Sequence, residues 1–256
     1  MIRGLAIDMD GTVYKGMNVI PGAREFIKEL GEKGIPYMFV TNNSSKGRRQ
    51  YFEKLSKMGF DVDMKNVLTS GTAALRFLKN ERPGKTVYVV GTESYMEDVR
   101  EYGIPLDDEN PDIVLLSFDR ELTYGKINKA YAFIKRGAEY IATHPDDLCP
   151  TEDDYDVDIG AFIAMYRYLL NKEPLIIGKP NRLLLDMAAA EMGIDSSEIA
   201  MVGDRLYTDM KMAYDNGLSS ILVLTGETKM EDLEHSDVKP TYVLDSVADI
   251  IEKVFR

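Results

Sequence analysis

The chain has 256 residues, 45% hydrophobic and 29% charged, with a formal net charge of −12. Such a chain is globular in composition and long enough for one large domain or two modest ones around a sizeable core. The acidic balance argues against nucleic acid or an anionic membrane as partner, because both repel it.

No apolar run approaches the roughly 20 residues of a membrane span. Met1-Ile2-Arg3 leads into the first strand without a signal-peptide pattern, and the single cysteine, Cys149, cannot form an internal disulfide. A cytoplasmic location is therefore expected.

Residues 5–12 read Leu-Ala-Ile-Asp-Met-Asp-Gly-Thr. Leu5, Ala6 and Ile7 have the apolar character of a fully buried parallel strand. Asp8 and Asp10 are two apart, so on a continuing strand both carboxylates point to one face, and Gly11 lets the backbone turn away. Acids placed so close need a cation between them, or one must stay protonated. A calcium loop does not fit. With Gly11 as the loop glycine, its first and last ligands would fall on Ala6 and Met17.

A helix follows, with Ala23, Phe26, Ile27 and Leu30 on one face. Residues 36–40 form the next strand and end at Thr41-Asn42-Asn43. A helix carrying Tyr51, Phe52, Leu55 and Met58 leads to a short strand around Val67 and Leu68. This is the β-α-β alternation of a parallel sheet. From about residue 70 the alternation continues in a self-contained set. Strands are predicted at 86–90, 113–117 and 140–143, with helices at 72–78, 95–102, 126–136 and 162–170. Beyond Pro174, a strand-like Leu-Ile-Ile run delivers Lys179. The strand 199–202 ends in Gly203 and Asp204, with Asp209 five positions on. A helix over 210–216, strands at 220–224 and 242–244, and a helix over 247–255 complete the chain.

Strands ending at Asp8, Thr41, near Lys179 and at Asp204 would bring these polar groups to one edge of one sheet, where open α/β folds bind ligands. The set suits phosphoryl transfer to a carboxylate. Asp8 is the candidate nucleophile. Thr41, Asn42 and Asn43 are candidate substrate-binding groups, with Lys179 as a point cation. Asp204 is a candidate ligand for Mg²⁺, a hard ion that takes oxygen donors.

Four segments together carry a resemblance. They are Asp8-Met9-Asp10-Gly11-Thr12, Val40-Thr41-Asn42-Asn43-Ser44-Ser45, Gly178-Lys179-Pro180 and the run from Gly203 through Asp204 to Asp209. In this order they resemble the motifs of the haloacid dehalogenase (HAD) superfamily and, within it, the NagD-like phosphatases. The resemblance implies an α/β fold: a doubly wound, Rossmann-like parallel-sheet core over residues 1–70 and 177–256, with an inserted α/β cap over 71–176. It implies Asp8 as nucleophile and Asp10 as general acid and then base. Asp8, the Asp10 main-chain carbonyl and Asp204 would hold Mg²⁺, Thr41 and Lys179 the phosphoryl group, and Asp209 would sit behind them or hold Lys179.

The implied activity is hydrolysis of small phosphate monoesters, on sugars, polyols, nucleotide monophosphates or aryl groups. A phosphomutase or phosphotransferase, or a catalytically idle binding protein, are the alternatives. The oligomeric state stays open, with a homodimer through the cap as one arrangement.

The chain departs from the family before the last cap helix, where Asp158-Ile159-Gly160-Ala161-Phe162 replaces a Pro-Gly-Ala-Gly-Ala-like turn. The preceding loop carries Asp146, Asp147, Glu152, Asp153, Asp154, Asp156 and Asp158. It reads as a solvated face, and Asp146 and Asp158 are the candidates to contact the leaving group. Cys149 reads as structural or incidental, and His144 and His235 as incidental.

Overall fold

The computed structural model describes residues 1–151 and 154–255, so Glu152 and Asp153 of the acidic loop lie outside the described residues. In chain order the strands are β1 (Gly4–Ile7), β2 (Tyr14–Lys15), β3 (Asn18–Val19), β4 (Tyr37–Thr41), β5 (Val67–Thr69), β6 (Val87–Val90) and β7 (Ile113–Leu116). Then come β8 (Glu139–Ala142), β9 (Leu148–Pro150), β10 (Tyr155–Val157), β11 (Leu175–Ile176), β12 (Ile199–Gly203), β13 (Ser219–Val223) and β14 (Tyr242–Leu244). The chain divides into two compact units. One is Met1–Thr41, Arg49–Leu68 and Lys179–Arg256; the other is Asn42–Arg48 and Thr69–Gly178.

The first unit is built on a six-stranded sheet in the order β14-β13-β12-β1-β4-β5. The pairs β1–β12, β1–β4, β12–β13 and β13–β14 are all parallel. Leu5 and Ile7 join an apolar cluster with Phe26, Leu30 and Leu55 on one face. Ala6 alternates to the opposite face, where the helix Leu183–Met192 packs on β1 and β4. With both faces covered, β1 has no polar side, which is why it reads as an unbroken apolar run. Starting at β1, the chain winds outward through β4 and β5, then returns to β12 and winds the other way. The reversal lies between β1 and β12, and a sheet of this kind opens its ligand crevice there, beyond the carboxyl ends of the strands.

The second unit has its own parallel four-stranded sheet, in the order β11-β8-β7-β6. Its core holds Tyr88 edge-on to Phe133 and Tyr140 edge-on to Tyr166, with ring centroids 5.0 and 5.8 Å apart. The strand before Lys179 therefore belongs to a different sheet from the one expected. β11 pairs with β8, and only two of its residues are extended, too few for a local pattern to say which sheet they join.

Two antiparallel hairpins, β2–β3 and β9–β10, are not expected from the sequence. The second lies inside the acidic loop expected to be a solvated face. The helix expected over 210–216 is the short α-helix Lys211–Asp215, and a π-helical turn not expected from the sequence, Leu206–Met210, precedes it.

The helix Ile159–Leu170 begins early, because Asp158 caps it by accepting from the Ile159 amide at 2.7 Å. A Cβ on Gly160 would lie 2.5 Å from the Pro145 carbonyl oxygen and 2.8 Å from that of Asp146. Backbone cannot yield as a flexible side chain can. Gly160→Ala is therefore expected to cost about 1–3 kcal/mol, the scale of overpacking. The check is the urea midpoint of unfolding; an unchanged midpoint would mean the turn relaxes freely.

Candidate active site

Three acids and one lysine converge at the reversal between β1 and β12, all within the first unit. Asp8 follows β1 directly and donates its amide to the Val202 carbonyl of β12 at 2.8 Å. Asp204 follows β12, and Asp209 lies on the π-helical turn. Asp8, Asp204 and Asp209 are 8%, 2% and 0% exposed, and Lys179 is 3% exposed. The Lys179 ammonium donates to Asp8 Oδ1 at 2.5 Å and to Asp209 Oδ1 at 2.6 Å. The second Asp209 oxygen accepts the Arg205 amide at 3.3 Å. Thr41 is the last residue of β4, the neighbour of β1 on the other side.

Glycines make the close approach possible. At Gly11, with φ of +89°, and again at Gly226, a Cβ would collide with Asp204 Oδ2. A side chain at either position would drive Asp204 out of the cluster. Thr12 Oγ1 donates to Asp204 Oδ1 at 3.3 Å and the Glu227 amide to Oδ2 at 2.8 Å. Thr225 Oγ1 donates to the Gly11 carbonyl at 2.6 Å, tying the loop after β13 to the acidic turn. Glu227 also accepts from Tyr207 and pairs with Arg205, each at 3.1 Å.

The electrostatics show a shortage of positive charge. Asp8 is raised to about 8, chiefly by burial, with Lys179 opposing the rise and Asp209 and Asp204 adding to it. Burial, then Asp209, pushes Asp204 up to about 6. Burial raises Asp10 too, against the cations Lys54 and Arg205. Burial alone would lower Lys179, but Asp209 and Asp8 outweigh it and hold the ammonium above the usual lysine value. One ammonium and the nearby Arg205 guanidinium, itself paired with Glu227, thus face three buried carboxylates. Ligand oxygens of Asp8, Asp204 and Asp209 lie within 4.8 Å of one another, a spacing and an all-oxygen donor set that fit a small hard cation.

Of the residues singled out in the sequence, Asp8, Asp204, Asp209 and Lys179 are brought together. Asp10 is half-buried, and its carboxyl is outside the three-acid cluster. The amides of Asn42 and Asn43 are committed elsewhere. Asn42 Nδ2 donates to Asp146 Oδ1 at 2.9 Å. Asn43 Nδ2 donates to Cys149 Sγ at 3.3 Å, and its Oδ1 accepts from the Ser45 amide and hydroxyl.

Asp158 also needs correcting. It is 2% exposed, caps its own helix and stands 3.7 Å from His144 Nε2, so it is not a carboxylate held out to a leaving group. Burial raises it to about 6. His144, expected to be incidental, is fully buried, with Asp146 3.7 Å from its other nitrogen. Sequence reasoning misses Thr12, Arg205, Thr225 and Glu227 as members of the site. A signal for the last two exists, since they follow the strand next to β12 and so reach the same sheet edge.

A model of the haloacid dehalogenase-like hydrolases matches residues 5–105, and a second, HAD-hydrolase-like, matches residues 176–250. The 5'-nucleotidase YutF of Bacillus subtilis is 34% identical over 249 residues, 97% of each chain. An acid sugar phosphatase of Staphylococcus aureus is 36% identical over 241 residues, 94% of this chain and 93% of that one. The solved 4-nitrophenylphosphatase of Thermotoga maritima is 40% identical and superposes with a TM-score of 0.95, over 99% of this chain and 97% of that one. The chain belongs to the haloacid dehalogenase-like hydrolases, and within them to the NagD-like phosphatases. Among the described residues no helix is long and apolar enough to cross a membrane.

Proposed function

We propose that the chain hydrolyses small phosphate monoesters through an aspartyl-phosphate on Asp8. The observation that carries this reading is Lys179, buried between Asp8 and Asp209 beside Asp204 at the sheet's reversal. An Asp8 oxygen attacks phosphorus in line, and the bond from phosphorus to the leaving oxygen breaks. Asp10, the neighbouring acid raised by burial, gives that oxygen its proton. Asp10 then takes a proton from a water that attacks the same phosphorus, freeing Asp8 and inorganic phosphate.

Lys179, steered by Asp209, and the Thr41 hydroxyl bind the phosphoryl oxygens. Asp8, Asp204 and the Asp10 main-chain carbonyl would hold Mg²⁺, since Lys179 and the Arg205 amide already occupy both oxygens of Asp209. That ion would add positive charge beside the three carboxylates.

The relatives are named for nucleotide, sugar and aryl phosphate activities, which supports a class of small monoesters rather than one substrate. The second unit is proposed as the family's cap, the part that sets the choice of leaving group. With no possible internal disulfide, the proposed location is cytoplasmic.

The test is phosphate release from a monoester panel by wild type and Asp10→Asn. The variant is expected to slow the phosphorylation step by roughly 10²–10⁴ for alkyl phosphates, whose poor leaving group needs a proton. Aryl phosphates should suffer far less. Equal losses in single-turnover work would remove Asp10 from the acid role.

A further inference from the structure

The loop after β13 reaches back over Asp204 and meets the residue that follows it, all within the first unit. The Glu227 amide donates to Asp204 Oδ2 at 2.8 Å, and the Thr228 amide to the Asp204 carbonyl at 3.2 Å. The Glu227 carboxylate accepts the Tyr207 hydroxyl at 3.1 Å and stands 3.1 Å from Arg205 Nε. Arg205 is fixed at its backbone too, where its amide donates to Asp209 Oδ2 at 3.3 Å. Its side chain is only 15% exposed, whereas that of Glu227 is 40% exposed. The guanidinium is thus the inner half of the pair and the carboxylate the outer half.

Burial works against the charge of Arg205, but Asp8, then Tyr207, Asp204 and Asp209, hold it above the usual arginine value. The same guanidinium opposes the rise that burial imposes on Asp8, Asp10 and Asp204. A fixed cation beside carboxylates repels a second cation that seeks the same oxygens, and low exposure leaves the repulsion poorly screened. Lys179 is already assigned to the phosphoryl group, and the mechanism leaves Arg205 without a task. We infer that Arg205, held by Glu227 and Tyr207, is a resident counter-ion of the acid cluster that weakens its grip on Mg²⁺. The inference rests on the proposed metal site at Asp8 and Asp204. Such a charge steadies the acids when no metal is bound and keeps the metal exchangeable when one is.

Two substitutions should then act in opposite directions, although both break the same ion pair. Arg205→Met removes the repelling charge and keeps the backbone amide on Asp209. Glu227→Gln removes the charge that partly cancels Arg205 and keeps the amide on Asp204. A pair that only braced the loop would loosen the site whichever partner was lost.

The experiment uses the full-length protein stripped with EDTA and returned to metal-free buffer, with Mg²⁺ alone as the probe. Its Kd is measured by calorimetry, and the rise in melting temperature with Mg²⁺ gives a second reading. Arg205→Met is expected to bind Mg²⁺ roughly 5- to 20-fold more tightly, and Glu227→Gln roughly 2- to 5-fold more weakly. Arg205→Lys keeps the charge and should lie closer to wild type than Arg205→Met does. Unchanged or weaker binding by Arg205→Met, or unchanged or tighter binding by Glu227→Gln, would overturn the inference. Should Arg205→Met fold poorly, the sign of the Glu227→Gln change still decides it. If wild type itself binds no Mg²⁺, the metal reading fails and the inference goes with it.

Discussion

Asp8→Asn is expected to abolish turnover, by at least about 10⁴-fold, while the protein stays folded. That is the scale on which loss of a covalent nucleophile is measured, because no second group can take over the bond to phosphorus. The amide has the shape of the acid, and its oxygen can still accept from Lys179. The backbone bond from residue 8 to Val202 is unaffected.

The sign of the stability change follows from the raised acid. Burial lifts Asp8 from 3.8 to about 8, so its ionised form costs the folded state more and more as pH rises between those values. The amide carries no such cost. In EDTA at about pH 8, the top of that window, the variant should therefore melt at or above the wild-type temperature. Turnover within tenfold of wild type would remove Asp8 as nucleophile, and a collapsed melting temperature would show that its charge is structural.

Removal of divalent cations is expected to have a comparably large effect. EDTA should stop turnover and Mg²⁺ restore it, whereas Ca²⁺ should not. Ca²⁺ takes six to eight ligands at about 2.3–2.6 Å, against near-octahedral Mg²⁺ at about 2.0–2.1 Å. The larger ion is expected to draw both Asp8 oxygens and leave none free to attack.

A second readout is independent of turnover. A cation that binds only the folded site stabilises it by about 2.7 kcal/mol at 100 times its Kd. Mg²⁺ should accordingly raise the melting temperature of wild type, and do so less in Asp204→Asn, which loses one of the three clustered carboxylates. Full activity in EDTA, or equal turnover with Ca²⁺ alone, would overturn the metal assignment.

Much of this molecule is legible in its chain of residues alone. β1, β4 and β12 announce themselves as short apolar runs, because strands buried on both faces leave no polar alternation. The residues that stop those runs, Asp8, Thr41 and Asp204, are polar because they stand at the carboxyl edge, where the sheet meets solvent and ligand. Parity along a strand and the parallel order of the elements are enough to gather the acids at one place. Four spaced motifs then name the family.

Other features depend on tertiary contacts. β11 has only two extended residues, and nothing local says that they pair with β8 rather than extend the first sheet. Lys179, which meets Asp8 and Asp209, stands three positions beyond that strand. Thr41-Asn42-Asn43 reads as one phosphate-binding run, yet its asparagine amides turn to Asp146 and Cys149, partners 104 and 106 positions away. Asp158 looks like one more solvated acid until the fold buries it as a helix cap beside His144. Local sequence determines which backbone a segment prefers and where its apolar face lies. Which polar side chains meet, and which acid is left short of a counter-charge, is decided by pairing across long separations, and only the folded chain brings those partners together.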